Sequence, residues 1–121
     1  MASEDDILNF AASAIGSIWA LELLLLLKQE ARNWSRAELV RQLRGSDAVI
    51  AQALERLHGV GLVAEDAGHY RYHPASTEAG KFAEALESLY RSKPVAVVSA
   101  IANAPQRKLQ ILSDAFRLKK D

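Results

Sequence analysis

The chain has no cysteine. That absence removes disulfides, thiolate nucleophiles and cysteine-based zinc sites together, and it fits a reducing compartment. No apolar run is long enough to cross a bilayer. The longest, Ala14 to Leu27, carries Glu22 inside it and falls short of the roughly twenty residues that a span requires. The opening Met1-Ala-Ser-Glu-Asp-Asp is acidic, without the basic start of a signal peptide. A soluble, cytoplasmic protein is the expectation.

Catalytic signatures are missing too. There is no glycine-rich phosphate loop, no His-Glu-x-x-His and no Ser/His/Asp arrangement. His58, His69 and His73 with Glu65 and Asp66 make the one metal-like grouping. On a strand, His69 and His73 would stand about 13 Å apart at roughly 3.3 Å per residue, too far to share an ion. The expectation is therefore no enzyme, no metal and no cofactor.

What remains is ordinary globular material: 121 residues, half apolar and a quarter charged, enough for one domain with a single core. The formal net charge is zero but its distribution is uneven. Residues 1–30 carry an excess of acids. Residues 31–45 hold Arg32, Arg36, Arg41 and Arg44 against Glu38 alone. Residues 46–75 are again acidic on balance, and 93–121 are basic. A basic face for a polyanion can arise only from 31–45, Arg71 and the C-terminal residues.

The helix signals are clear. Ser3 followed by Asp6 resembles a capping box and predicts a helix from about Glu4, with Gly16 and the Ser13/Ser17 pair as a potential break. From about Ile15 to Ala31, Ile15, Ile18, Trp19, Leu23 and Leu26 recur at helical spacing while Leu24, Leu25 and Leu27 fill the other sides. A helix apolar nearly all round needs cover on several faces, so it is the expected hub of the core. Trp19 and Trp34 are both expected in that core. Ser35 with Glu38 is a second capping box, opening a helix to about Leu43. Gly45-Ser46 makes a turn, and Ser46 caps a helix to about His58 whose buried face is Ile50, Ala53, Leu54 and Leu57.

Gly61 suits a left-handed stop. Leu62–Glu65 and His69–His73 then flank a three-residue loop, Asp66-Ala67-Gly68, in a hairpin. Ser76 or Thr77 caps a helix to about Ser92, striped by Phe82, Leu86 and Leu89, with Glu84 and Glu87 on a solvated face. Pro94 suits the first turn of a further helix to about Asn103, and a last helix is predicted from Pro105 to about Lys119.

The stretch Ser35–Tyr72 resembles winged helix-turn-helix transcription regulators of the broad MarR and PadR type. The capped Ser35–Leu43 helix, Gly45-Ser46, the Ile50/Leu54/Leu57 stripe and Leu57-His58-Gly59-Val60-Gly61-Leu62-Val63 carry the likeness. The resemblance implies a mainly α fold with a small β-hairpin, a winged helix with extra N- and C-terminal helices. It implies residues 1–13 as an N-terminal helical extension, 14–92 as the winged domain, and 93–121 as C-terminal helices that dimerise or cover the core.

It further implies a homodimeric regulator of transcription binding double-stranded DNA, its second helix in the major groove. The residues of reading type there are Gln52 and Arg56. Arg36, Arg41, Arg44 and Arg71 would meet phosphates, with Lys119 and Lys120 as further candidates. Each phosphate contact would steepen the salt dependence of log K by about 0.9. Val97, Val98, Ile101, Leu109, Leu112 and Phe116 are candidates for a dimer surface, or for packing on their own chain.

A second reading stands beside this one. The same helix exposes Ala48, Val49 and Ala51, and an apolar recognition face can dock a protein instead of DNA.

Overall fold

Two serines organise the N-terminal third. Ser3 Oγ accepts from Asp6 N–H while the Asp6 carboxylate accepts from Ser3 N–H, the reciprocal cap that starts α1, Glu4–Phe10. The chain continues as a π-helical segment, Ala11–Ile15, and stops at Gly16, which sits in the left-handed region at φ 77°. Ser17 then caps α2, Ile18–Gln29, through Ala20 N–H. The expected break therefore falls at Gly16, and α2 starts three residues later than the apolar spacing suggests. The computed structural model describes residues 2–103, and the statements below concern those residues.

α2 is the hub. Leu21, Leu23, Leu24 and Leu27 are completely buried, and the helix packs against α4 (Asp47–Gly59), the π segment, α3 (Arg36–Leu43) and the sheet. Each such leucine contributes about 1.5–3 kcal/mol of transfer free energy. α3 begins with the predicted box, Ser35 Oγ accepting from Glu38 N–H and the Glu38 carboxylate from Ser35 N–H. Ser46 caps α4 through Val49 N–H, and Ile50, Ala53, Leu54 and Leu57 are buried as their spacing predicts. In the turn between them the left-handed residue is Arg44, at φ 57°, rather than Gly45. Gly45 serves space instead: a Cβ there would lie 2.9 Å from Trp19 Cζ3 and 3.1 Å from Ile50 Cδ1.

α4 ends in a left-handed reversal. Gly61, at φ 80°, lets its N–H reach His58 O and lets Leu62 N–H reach Leu57 O, which feeds the chain into β2, Val63–Asp66. β2 pairs antiparallel with β3, His69–Tyr72, from Val63↔Tyr72 to Asp66↔His69. That register leaves a loop of two residues, Ala67 and Gly68, both at positive φ (52° and 80°), in place of the expected three. A two-residue loop with both central residues left-handed matches strand twist, which is why it is favoured. A third strand, β1 (Trp34–Ser35), pairs with β3 through Trp34↔Tyr70 and makes the order β1-β3-β2. Two residues are too few for alternation to announce a strand.

α5, Thr77–Ser92, is capped by Ser76 through Ala79 N–H and buries Ala83 and Leu86. Its Glu87 is not on a solvated face. Lys28 Nζ donates to Glu87 Oε1 at 2.7 Å and Gln29 donates to Oε2, tying α2 to α5 across two side chains each less than one-fifth exposed. The Lys28 hydrogen bond holds the Glu87 carboxyl below its ordinary range despite the opposing effect of burial. Nearby, burial and the Glu22 carboxylate raise the Tyr90 hydroxyl, which donates to Glu22 Oε1.

α6, Pro94–Ala102, corrects one expectation. Val97 and Ile101 are 0% and 2% exposed and join Ala11, Ile15 and Leu24 in one hydrophobic cluster. They pack on their own chain and are not available to a dimer surface, whereas Val98 is exposed. The physical reason is that α1, the π segment and α5 present an apolar trough that Val97 and Ile101, one helical turn apart, fill together. The cluster runs unbroken through the expected boundaries near residues 13 and 93. Leu109, Leu112, Phe116, Lys119, Lys120 and the helix predicted from Pro105 to Lys119 lie outside the described residues.

No single helix among the described residues is long and apolar enough to cross a membrane. α1 with its π segment and α2 meet at a bend of 102°.

Candidate docking face around helix α4

The outer face of α4 is set by what its inner face buries. With Ile50, Ala53, Leu54 and Leu57 turned into the core, the helix exposes Asp47, Ala48, Gln52 and Glu55 and half-exposes Val49, Ala51 and Arg56. Two of the expected nucleic-acid contacts sit here, and they differ. Gln52 is exposed. Arg56 folds back across the N-terminal bend: its Nε–H donates to Ala14 O at 2.8 Å and its Nη2 to Ser13 O.

The cause is local. The π segment ends at Gly16, so the carbonyls of Ser13 and Ala14 lack helical partners at a terminus that attracts a cation. Gly16 leaves room for the guanidinium; a Cβ there would stand 3.0 Å from Arg56 Nη2. Arg56 is thus a clamp between α4 and the N-terminal bend, and the sequence offered no signal for a pairing forty-odd positions apart.

The cations expected on phosphates also differ from one another. Arg36 Nε lies 2.9 Å from Asp47 Oδ1, so the start of α3 and the start of α4 are joined by an ion pair that offsets the charge. Arg32 stacks on Trp34, 3.5 Å from the ring centroid, and pairs with Glu38 at 3.5 Å. The Glu38 carboxyl is lowered, chiefly by the Ser35 backbone N–H. Arg41 and Arg44 are exposed and Arg71 is half-buried on β3. None of these three has an ion-pair partner among the described residues.

Beside Gln52 lies a feature that the periodicity concealed. Trp19, expected in the core, is 38% exposed. Its ring rests against the Gly45 turn because α2 starts after the Gly16 bend, which rotates the first turn of the helix to the rim of the core. Trp19, Ile15 and Gly16 on one side and Val49, Gln52, Glu55 and Val60 on the other enclose an open groove of about 780 Å³. Among the described residues Arg56 is its only cationic lining residue, and that guanidinium points into the Ser13 and Ala14 carbonyls. Of the apolar trio expected at a protein interface, Val49 lines the groove, while Ala48 and Ala51 lie beside it on α4.

Trp34 is buried as expected, its Nε1–H donating to Glu30 O. No group of three or more His, Asp or Glu side chains among the described residues is arranged to hold a metal ion. Comparison with protein-family models, with curated proteins and with solved structures finds no match to this chain.

Proposed function

We propose that the chain is a winged helix-turn-helix regulator that engages a protein partner through the outer face of α4. The order α3, turn, α4, left-handed reversal and antiparallel hairpin supports the winged-helix assignment. The position of Arg56 carries the choice of partner. With that guanidinium on Ser13 and Ala14, Gln52 is the one residue of base-reading type left on a face otherwise made of Asp47, Ala48, Ala51 and Glu55. Alongside runs the apolar groove of Trp19, Val49 and Val60.

The occupant that suits this groove is an amphipathic helix, its large apolar side chains seated against Trp19 and Val49 and a cation meeting Glu55. A second reading, a DNA-binding regulator of transcription, draws on Arg41, Arg44 and Arg71 as phosphate contacts. Three contacts per chain give a log K slope of about −2.7 in log salt, weak binding unless a homodimer doubles it. Among the described residues named as dimer candidates, Val98 is the exposed one.

The test compares wild type, Val49→Glu and Arg41→Ala/Arg44→Ala in two assays, affinity capture with partner identification and a duplex-DNA mobility shift at moderate salt. A partner helix lost on Val49→Glu, with no DNA shift from wild type, is the expected result. Partners retained by Val49→Glu refute the docking reading. A DNA shift abolished by the double arginine variant establishes the second reading in its place.

A further inference from the structure

α1 and α5 meet at a stack of phenyl rings, Phe10 on Phe82, with centroids 5.1 Å apart and planes 25° from parallel. Beside that stack the two helices leave a cleft of about 840 Å³, larger than the groove along α4 and lined by no residue of that helix. Drug-sized ligands occupy sites of roughly 300–1,000 Å³. Ile7 of α1 with Phe82 and Ala85 of α5 give the cleft an apolar wall, and all three are only half-buried. Covering such a wall releases water from apolar surface, and the ring of Phe82 offers the largest share of it.

Charge sets the sign of what fits. Asp6, Glu78 and Glu84 stand at the cleft against Lys81 alone, and Asp6 is held in place by the Ser3 N–H. Among the described residues Glu78, Glu84 and Lys81 enter no ion pair, so the negative excess is not cancelled there. An apolar wall beneath carboxylates suits an aromatic cation. Its rings lie against Ile7 and Phe82, and its charge is attracted by the acids and by the electron-rich face of an aromatic ring. An anion of the same shape meets repulsion.

We propose that the cleft between α1 and α5 is a binding site for a small lipophilic cation, an aromatic molecule carrying positive charge. Ile7, Phe82 and Ala85 supply the apolar contact, and Glu78 and Glu84, with Asp6, select the sign of the charge. The site is independent of the docking face on α4 and stands whether or not that face takes a partner.

Tetraphenylphosphonium and tetraphenylborate share one shape and carry opposite charges, so the pair separates apolar contact from charge. Each is titrated into the isotope-labelled full chain while amide chemical shifts are followed. Tetraphenylphosphonium is expected to give saturable shifts centred on Ile7, Phe82 and Ala85. Tetraphenylborate should bind more weakly by about tenfold or more, because the same carboxylates that attract the cation repel it. Glu78→Gln/Glu84→Gln keeps the shape of the cleft and should weaken the cation by about fivefold, since each exposed charge pair contributes little. Ala85→Trp fills the cleft and should abolish the shifts at Ile7 and Phe82. Four results overturn the proposal: no saturable shift, shifts centred instead on Trp19 and Val60, equal affinity for the two ions, or an affinity that Glu78→Gln/Glu84→Gln leaves unchanged.

Discussion

Arg56→Met is the substitution that most directly tests the geometry around α4. Methionine keeps most of the aliphatic stem, so packing along the helix changes little, while both donors to Ser13 O and Ala14 O disappear. Hydrogen bonds from a charged donor contribute about 1.5–3 kcal/mol each when well desolvated. Arg56 is only half-buried and water can reach the freed carbonyls, so solvent screening discounts the pair from the roughly 3–6 kcal/mol of two well-desolvated bonds to about 2 kcal/mol together. In a domain of this size about 4 °C of Tm corresponds to each kcal/mol, and the midpoint should fall by about 8 °C. Urea unfolding followed by far-UV circular dichroism measures the loss directly. Arg41→Met, exposed and without an ion-pair partner among the described residues, is the control and should stay within about 0.5 kcal/mol of wild type. A stability for Arg56→Met equal to that control would mean that the guanidinium does not hold the bend and is free to face a ligand.

The remaining predictions concern the turn, the hairpin and the α2–α5 bridge. Gly45→Ala drives a methyl group against Trp19 and Ile50 and should cost about 1–3 kcal/mol in chemical denaturation, with Trp19 emission displaced. Ala67→Asn places a residue tolerant of positive φ in the two-residue loop and should stabilise by about 0.5–1 kcal/mol; a loss of stability would refute the loop geometry. Glu87 and Glu38 are both held below their ordinary value of 4.5, so the folded state binds fewer protons than the unfolded state near that pH. Their stabilisation is complete above about 4.5 and is lost as pH falls through the lower folded-state values. Glu87→Gln should flatten the acid limb of the stability–pH curve, and an unchanged limb would remove the Lys28 bridge from the account.

Much of the fold was legible because its signals are local. Ser3, Ser35, Ser46 and Ser76 each cap the helix that follows through a backbone N–H three residues on, as read from the sequence, whereas the Ser17 cap of α2 emerged only with the fold. Periodicity identified the buried stripe of α4, and a leucine-filled α2 had to be covered on several sides. Where readings shifted, the deciding contact was distant in sequence. β1 exists only because Tyr70 and His69 pair with Trp34 and Ser35. The hairpin loop has two residues because the register places Asp66 opposite His69. Val97 and Ile101 resemble an interface in sequence and are core because α1, the π segment and α5 present a trough to fill.

The candidate site divides along the same line. Residue type alone established that α4 carries few groups able to read bases, that acids offset the nearby arginines, and that the chain has no cysteine. Tertiary structure alone decided that Arg56 faces two carbonyls, that Asp47 takes Arg36, and that Trp19 lies at the rim of a groove. Side-chain chemistry and helical spacing are properties of neighbouring residues, so the chain states them outright. The direction of a long flexible side chain depends on which unsatisfied group the fold brings within reach, and that is known only once the bend at Gly16 has closed.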